Sequence, residues 1–146
     1  MAENRSTKLA EQAIQPTYCL LRMVVGLFFF QYGAIKMFGW FGGFGHHPGA
    51  TAPLMSELGL AGVLEVVGGL AILLGISTRP VAFVLSGEMA VAYWQAFGLK
   101  QFWPIENNGV TPALFCFIFL FMAAYGGGDW SLDAWIKKRR QLPSGG

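Results

Sequence analysis

The chain has 146 residues, 54% of them hydrophobic and only 12% charged, with a mean hydropathy of +0.48. Soluble domains carry about a quarter charged residues, so this sequence lacks the polar surface of a water-soluble globule and reads as an integral membrane protein. The net charge of +2 is small, and four of the ten basic residues form one block, Lys137-Lys138-Arg139-Arg140; beside a membrane span, such a block fits anionic lipid better than nucleic acid.

Residues 1–15 mix charged and apolar side chains and read as a short surface helix or a frayed tail. They show no cleavable signal pattern. Pro16 suits the first turn of a helix, where its missing N–H is no loss. The first span is expected over residues 17–38, apolar apart from Arg22, Gln31 and Lys36. On a helical wheel Arg22, Gly26, Phe29, Gly33 and Lys36 fall within about 40° of Arg22. Two cations and two glycines on one stripe suggest the face turned toward other helices, because small residues allow close backbone approach and intramembrane charge avoids lipid. Snorkelling of both cations to the headgroups is the alternative.

Residues 39–57 form the longest connection, GWFGGFGHHPGATAPLMSE. Its glycines lack the GKS/T element of a phosphate cradle. His46 and His47 splay apart as neighbours in sequence and have no third ligand nearby, so no metal is expected there. Trp40, Phe41 and Phe44 suit an aromatic belt at the interface.

The second span is expected over 58–76 and the third over 80–99, joined by Ser77-Thr78-Arg79 and opened by Pro80. Each approaches the roughly 20 residues needed to cross a ~30 Å hydrocarbon core, and so short a turn makes them an antiparallel pair. Each holds one acid, Glu65 or Glu88. Glu65 shares its face with Gly62 and Gly69, and Glu88 shares its face with Val84, Ala92 and Gln95. A polar loop with turn residues at Pro104 and Asn108-Gly109 leads to a Phe-rich fourth span over 111–126, closed by Gly126-Gly127-Gly128. Ser131 can cap a final helix over 131–141, whose Leu132, Trp135, Ile136 and Arg139 follow i, i+3, i+4, i+7 spacing and would lie in the interface. The Lys and Arg bias between the two sets of loops puts both termini in the cytoplasm.

Several stretches together resemble the DoxX family of small four-helix bacterial membrane proteins. RMVVGLFFFQYGAIKMF matches its opening arginine, glycine, glycine and lysine pattern. LGLAGVLEVVGGLAILLGISTRPVA matches its second-span glutamate, glycine pair and arginine turn, and GGGDWSLDA its closing signature. The resemblance implies an all-α, four-helix membrane bundle of the bacterial inner membrane, linked to quinone-dependent or thiol-related redox complexes.

Haem or copper within the bundle would need His in the spans, and there is none. Cys19 and Cys116 form no CxxC pair and no disulfide framework. No self-sufficient catalytic motif is present, and a diffusible quinone is the cofactor left open to a redox role. The intramembrane charges are Arg22, Lys36, Glu65 and Glu88, with contacts expected between Arg22 and Glu88 and between Lys36 and Glu65. Either these pairs fix helix register, or Glu65 or Glu88 exchanges protons with a quinol or substrate beside Tyr93, Trp94 and Gln95. The expected function is an accessory or structural subunit of a quinone-linked membrane redox complex, with the lipid bilayer and other membrane subunits as partners and no nucleic acid. The alternatives are a quinone-linked oxidoreductase in its own right or a small proton-coupled transporter.

Overall fold

A computed structural model describes residues 5–98 and 101–141. Leu99, at the expected end of the third span, and Lys100, in the loop that follows it and part of the Lys and Arg bias, lie outside the described residues. Helices account for all the regular structure among them, in the order α1 (Arg5–Phe38), α2 (Glu57–Leu74), α3 (Thr78–Tyr93), α4 (Pro104–Asn107), α5 (Val110–Tyr125) and α6 (Leu132–Gln141). A 3₁₀ turn at Phe44–His46 interrupts the first long loop, and a π turn at Trp94–Gly98 prolongs α3.

Among the described residues, two helices are long and apolar enough to cross a membrane: the Lys8–Phe38 part of α1 and α2. The apolar α5 is shorter, with 16 residues.

The first helix departs from expectation. Pro16 lies inside α1 rather than opening it, because Leu9, Ala10, Glu11, Gln12 and Ala13 are good helix formers and continue the helix upstream of the proline. The loss of one intrahelical hydrogen bond at Pro16 is accompanied by a tertiary tie at its neighbour: Gln15 Nε2 donates to the Tyr125 hydroxyl at 2.8 Å. Pro80 likewise falls within the first turn of α3, which starts two residues earlier at Thr78.

The other boundaries have local causes. Ser56 caps α2, its hydroxyl oxygen accepting from the Gly59 N–H at 3.1 Å. Gly75 ends it in the left-handed region at φ 71°, and the Ile76 N–H then reaches back to the Ala71 carbonyl at 2.9 Å, as a glycine C-cap does. Ser131 caps α6, accepting from the Ala134 N–H at 3.1 Å.

The helices pack in sequence, α1 on α2, α2 on α3 and α3 on α5. One buried cluster draws on four of them: Tyr18, Cys19, Val25 and Phe29 from α1, Ile72 from α2, Ala82, Leu85 and Met89 from α3, and Phe119 and Met122 from α5. Phe29 sits edge-on to Phe119, with ring centres 4.8 Å apart, so α1 also meets α5 and the four helices close around the cluster.

The α1–α2 contact rests on four glycines. A Cβ added at Gly33 would stand 2.6 Å from the Val66 nitrogen, one at Gly69 would stand 2.5 Å from the Phe30 nitrogen, and one at Gly26 would strike the Leu73 nitrogen. Gly62 gives room to the Lys36 and Met37 side chains. Arg22, Gly26, Gly33 and Lys36 of the stripe thus face α2, and the glycines bring the two backbones together, while Phe29 turns toward α5.

Candidate functional site: an internal charge cluster and a closed helix end

Lys36 on α1 and Glu65 on α2 meet inside the helical core. Lys36 Nζ donates to Glu65 Oε1 at 2.6 Å. Glu65 is only 3% exposed, whereas the Lys36 side chain is 18% exposed. The glycine contacts place them: a Cβ added at Gly62, one helical turn from Glu65, would stand 3.0 Å from the Lys36 Cβ, so the lysine stem passes over the glycine and its ammonium reaches the acid.

Glu88 on α3 joins this pair and does not bond to Arg22, which corrects the expected Arg22–Glu88 contact. Neither Glu88 carboxylate oxygen has a hydrogen-bond partner, and the groups whose charges act on it are Glu65 and Lys36. The reason is depth. Glu65 precedes the end of α2 at Leu74 and Glu88 follows the start of α3 at Thr78 by nearly equal rises, about 14 and 15 Å at ~1.5 Å per residue. The two acids of the antiparallel pair are therefore level.

Arg22 lies at a different depth, beside the α2–α3 turn. It is 1% exposed, and its guanidinium bonds to backbone. Nη1 donates to the Ile72 carbonyl and, at 2.8 Å, to that of Leu73, while Nη2 donates to the Trp130 carbonyl at 2.6 Å. The last carbonyls of a helix lack intrahelical donors and carry the negative end of its dipole, so a buried guanidinium is well matched to the end of α2.

The same end of the molecule is closed by a constellation that sequence reasoning missed. Asp133 lies in the first turn of its own helix, α6. Its carboxylate also caps α3, Oδ1 accepting from the Ser77 N–H at 2.9 Å and Oδ2 from the Thr78 N–H at 3.1 Å. Its own N–H donates to the Gly75 carbonyl at 3.1 Å. The Tyr18 hydroxyl donates to the Gly126 carbonyl. Gly127 and Gly128 allow this fit, since a Cβ at Gly127 would lie 2.8 Å from Ser131 Cβ and one at Gly128 would lie 2.9 Å from Cys19 Sγ. The GGGDWSLDA stretch is thus a clasp over α1 and the α2–α3 turn. Its signal in the sequence was the polar Ser131 and Asp133, three and five residues after the last of three glycines.

The remaining candidates are dispersed. The Tyr93 hydroxyl donates to the Phe102 carbonyl at 2.6 Å and accepts from Asn107 Nδ2 at 3.3 Å, so it secures the loop before α5. Trp94 and Gln95 are exposed on the π turn. A separate groove of about 370 Å³, lined by Phe28, Gln31, Tyr32, Ile35 and Phe115, opens between α1 and α5. Lys137, Lys138, Arg139 and Arg140 are exposed on α6, where the Arg139 guanidinium stacks 3.9 Å over the Trp135 ring.

Comparison with known proteins finds relatives of this chain. An uncharacterized protein of Haemophilus influenzae is 37% identical over 116 residues, covering 77% of this chain and 85% of the relative. An uncharacterized membrane protein of Mycobacterium tuberculosis is 29% identical over 144 residues, covering 85% of this chain and 83% of the relative. No solved structure matches significantly. The DoxX family model matches residues 18–98, the segment that holds Arg22, Lys36, Glu65 and Glu88. The chain belongs to the DoxX family of membrane proteins.

Proposed function

We propose that the chain is a four-span protein of the bacterial cytoplasmic membrane, with α1, α2, α3 and α5 crossing and both termini inside, and that it serves as an accessory helical subunit of a quinone-linked redox assembly. One observation carries the subunit reading: much of the polar capacity inside the helical core is used to join helices. Arg22 ties α1 to α2 and to the segment before α6, and Lys36 ties α1 to α2. Among the described residues, no three His, Cys, Asp or Glu side chains gather as a metal site. Large apolar side chains instead cover the outer faces, including Leu20 and Phe28 on α1, Val67 on α2 and Phe117 on α5, a surface suited to lipid and to neighbouring subunits. The redox link rests on the family resemblance.

Isolation from native membranes in mild detergent tests this reading. The expected result is recovery of the chain with other membrane subunits and bound quinone. Recovery of a homogeneous, cofactor-free chain alone would count against it.

A second reading, proton exchange by the chain itself in quinone chemistry or transport, is favoured by the partnerless oxygens of Glu65 and Glu88. Bound quinone with activity lost in Glu65→Gln or Glu88→Gln would support the oxidoreductase form. Proton-dependent uptake into liposomes would support the transporter form.

A further inference from the structure

The Lys36–Glu65–Glu88 cluster is short of one positive charge and of hydrogen-bond donors. Lys36 spends its ammonium on Glu65 Oε1. Glu65 Oε2 and both Glu88 oxygens are buried without a hydrogen-bond partner, and Glu65 as a residue is 3% exposed. The charged groups acting on Glu88 are Lys36 from α1 and Glu65 from α2. The remaining helix packed on α3 is α5, which carries no Asp, Glu, Lys, Arg or His. Two ionised carboxylates and one ammonium would leave a net negative charge in a low-dielectric interior, where an unpaired charge is costly. Three buried acceptors without a donor add to that cost.

A single proton cancels the net charge and lessens the donor deficit, because it turns one of the three acceptors into a donor. A metal ion would answer the charge only by placing a second cation beside Lys36. We propose that the cluster is a one-proton site, with the proton held on the Glu88 carboxyl and exchanged with water along the partly exposed Lys36. The step is a simple acid–base equilibrium: the Glu88 carboxylate takes a proton from hydronium, leaving water and the neutral acid, and returns it to water as hydronium, with no electron transfer. This deepens the second reading above, and it is measured on the isolated chain, so its failure is distinct from the absence of partner subunits.

The test is infrared difference spectroscopy of the full chain in lipid nanodiscs between acidic and alkaline buffer, repeated in deuterated water. The expected result is one protonated-carboxyl C=O band that titrates, shifts in deuterium and is lost in Glu88→Gln. Should Glu88→Gln fail to fold, Glu88→Asp must move the band while keeping it. The same spectra with and without sodium at fixed pH separate a proton from a metal ion. A band absent at every pH, unchanged in the Glu88 variants, or displaced by sodium would overturn the proposal.

Discussion

Arg22 and Lys36 carry the same charge and sit on one stripe of one helix, yet they do different work. Arg22 presents several donors in a planar fork, and it uses that geometry to reach carbonyls of both α2 and the segment before α6. A lysine there has one donor centre and cannot span both. Arg22→Lys is therefore expected to lower stability by about 2 kcal/mol or more, since buried carbonyls lose their donor, and thermal unfolding in detergent checks it. Lys36 supplies charge. Lys36→Met leaves two facing acids, whereas Glu65→Gln leaves one acid with its cation. Breaking a buried pair costs roughly 3–5 kcal/mol, and the lysine variant should stand at or beyond the upper end while Glu65→Gln falls below it; equal losses would contradict the three-member cluster. The Lys36–Glu65 contact was legible in the sequence, because opposite charges occur at matching depth on neighbouring spans. Arg22's partners were not, because backbone carbonyls leave no mark in residue types, and the search for a carboxylate led to Glu88 instead.

At the scale of elements, the span cores were legible from apolar runs and punctuation, with Gly126 ending its helix as expected and Gly75 ending α2 just short of the expected boundary at residue 76. Pro16 was misleading because a proline signals a helix start only where good helix formers do not precede it. Two element contacts invite tests. Gly69 lies where a Cβ would meet the Phe30 backbone, and backbone cannot yield as a flexible side chain can. Gly69→Leu should part α1 from α2, costing at least the ~1–3 kcal/mol of an overpacked core; loss of cross-linking between cysteines introduced on facing positions of α1 and α2 would show it. Asp133→Ala removes the acceptor for two backbone N–H groups of α3, and a lost cap costs about 0.5–2 kcal/mol. The expected result is a lower unfolding temperature with faster hydrogen exchange confined to the start of α3. The clasp was legible only as a motif, since its meaning depends on a turn more than fifty residues upstream.

For the whole molecule, the two ends differ in a way that suits a bilayer. Exposed aromatics flank one end, with Trp40 and Phe41 after α1 and Phe102 and Trp103 before α4. Trp130, Trp135 and the basic residues of α6 mark the other. Aromatic belts and a cationic inner face are what a membrane sorts for. Among the described residues, only α1 and α2 are long and apolar enough by themselves. With 16 residues, α5 extends about 24 Å at 1.5 Å per residue, short of a ~30 Å core, so it needs local thinning or its flanking residues to complete a crossing. The four-span claim therefore turns on α3 and α5. Reporter fusions that are active on only one side of the membrane, placed at Gly49, Ser77, Asn108 and after Gln141, test it directly. The account predicts outside signals at Gly49 and Asn108 and cytoplasmic signals at Ser77 and after Gln141. A cytoplasmic signal at Asn108 would contradict it, because α3 and α5 would then not cross.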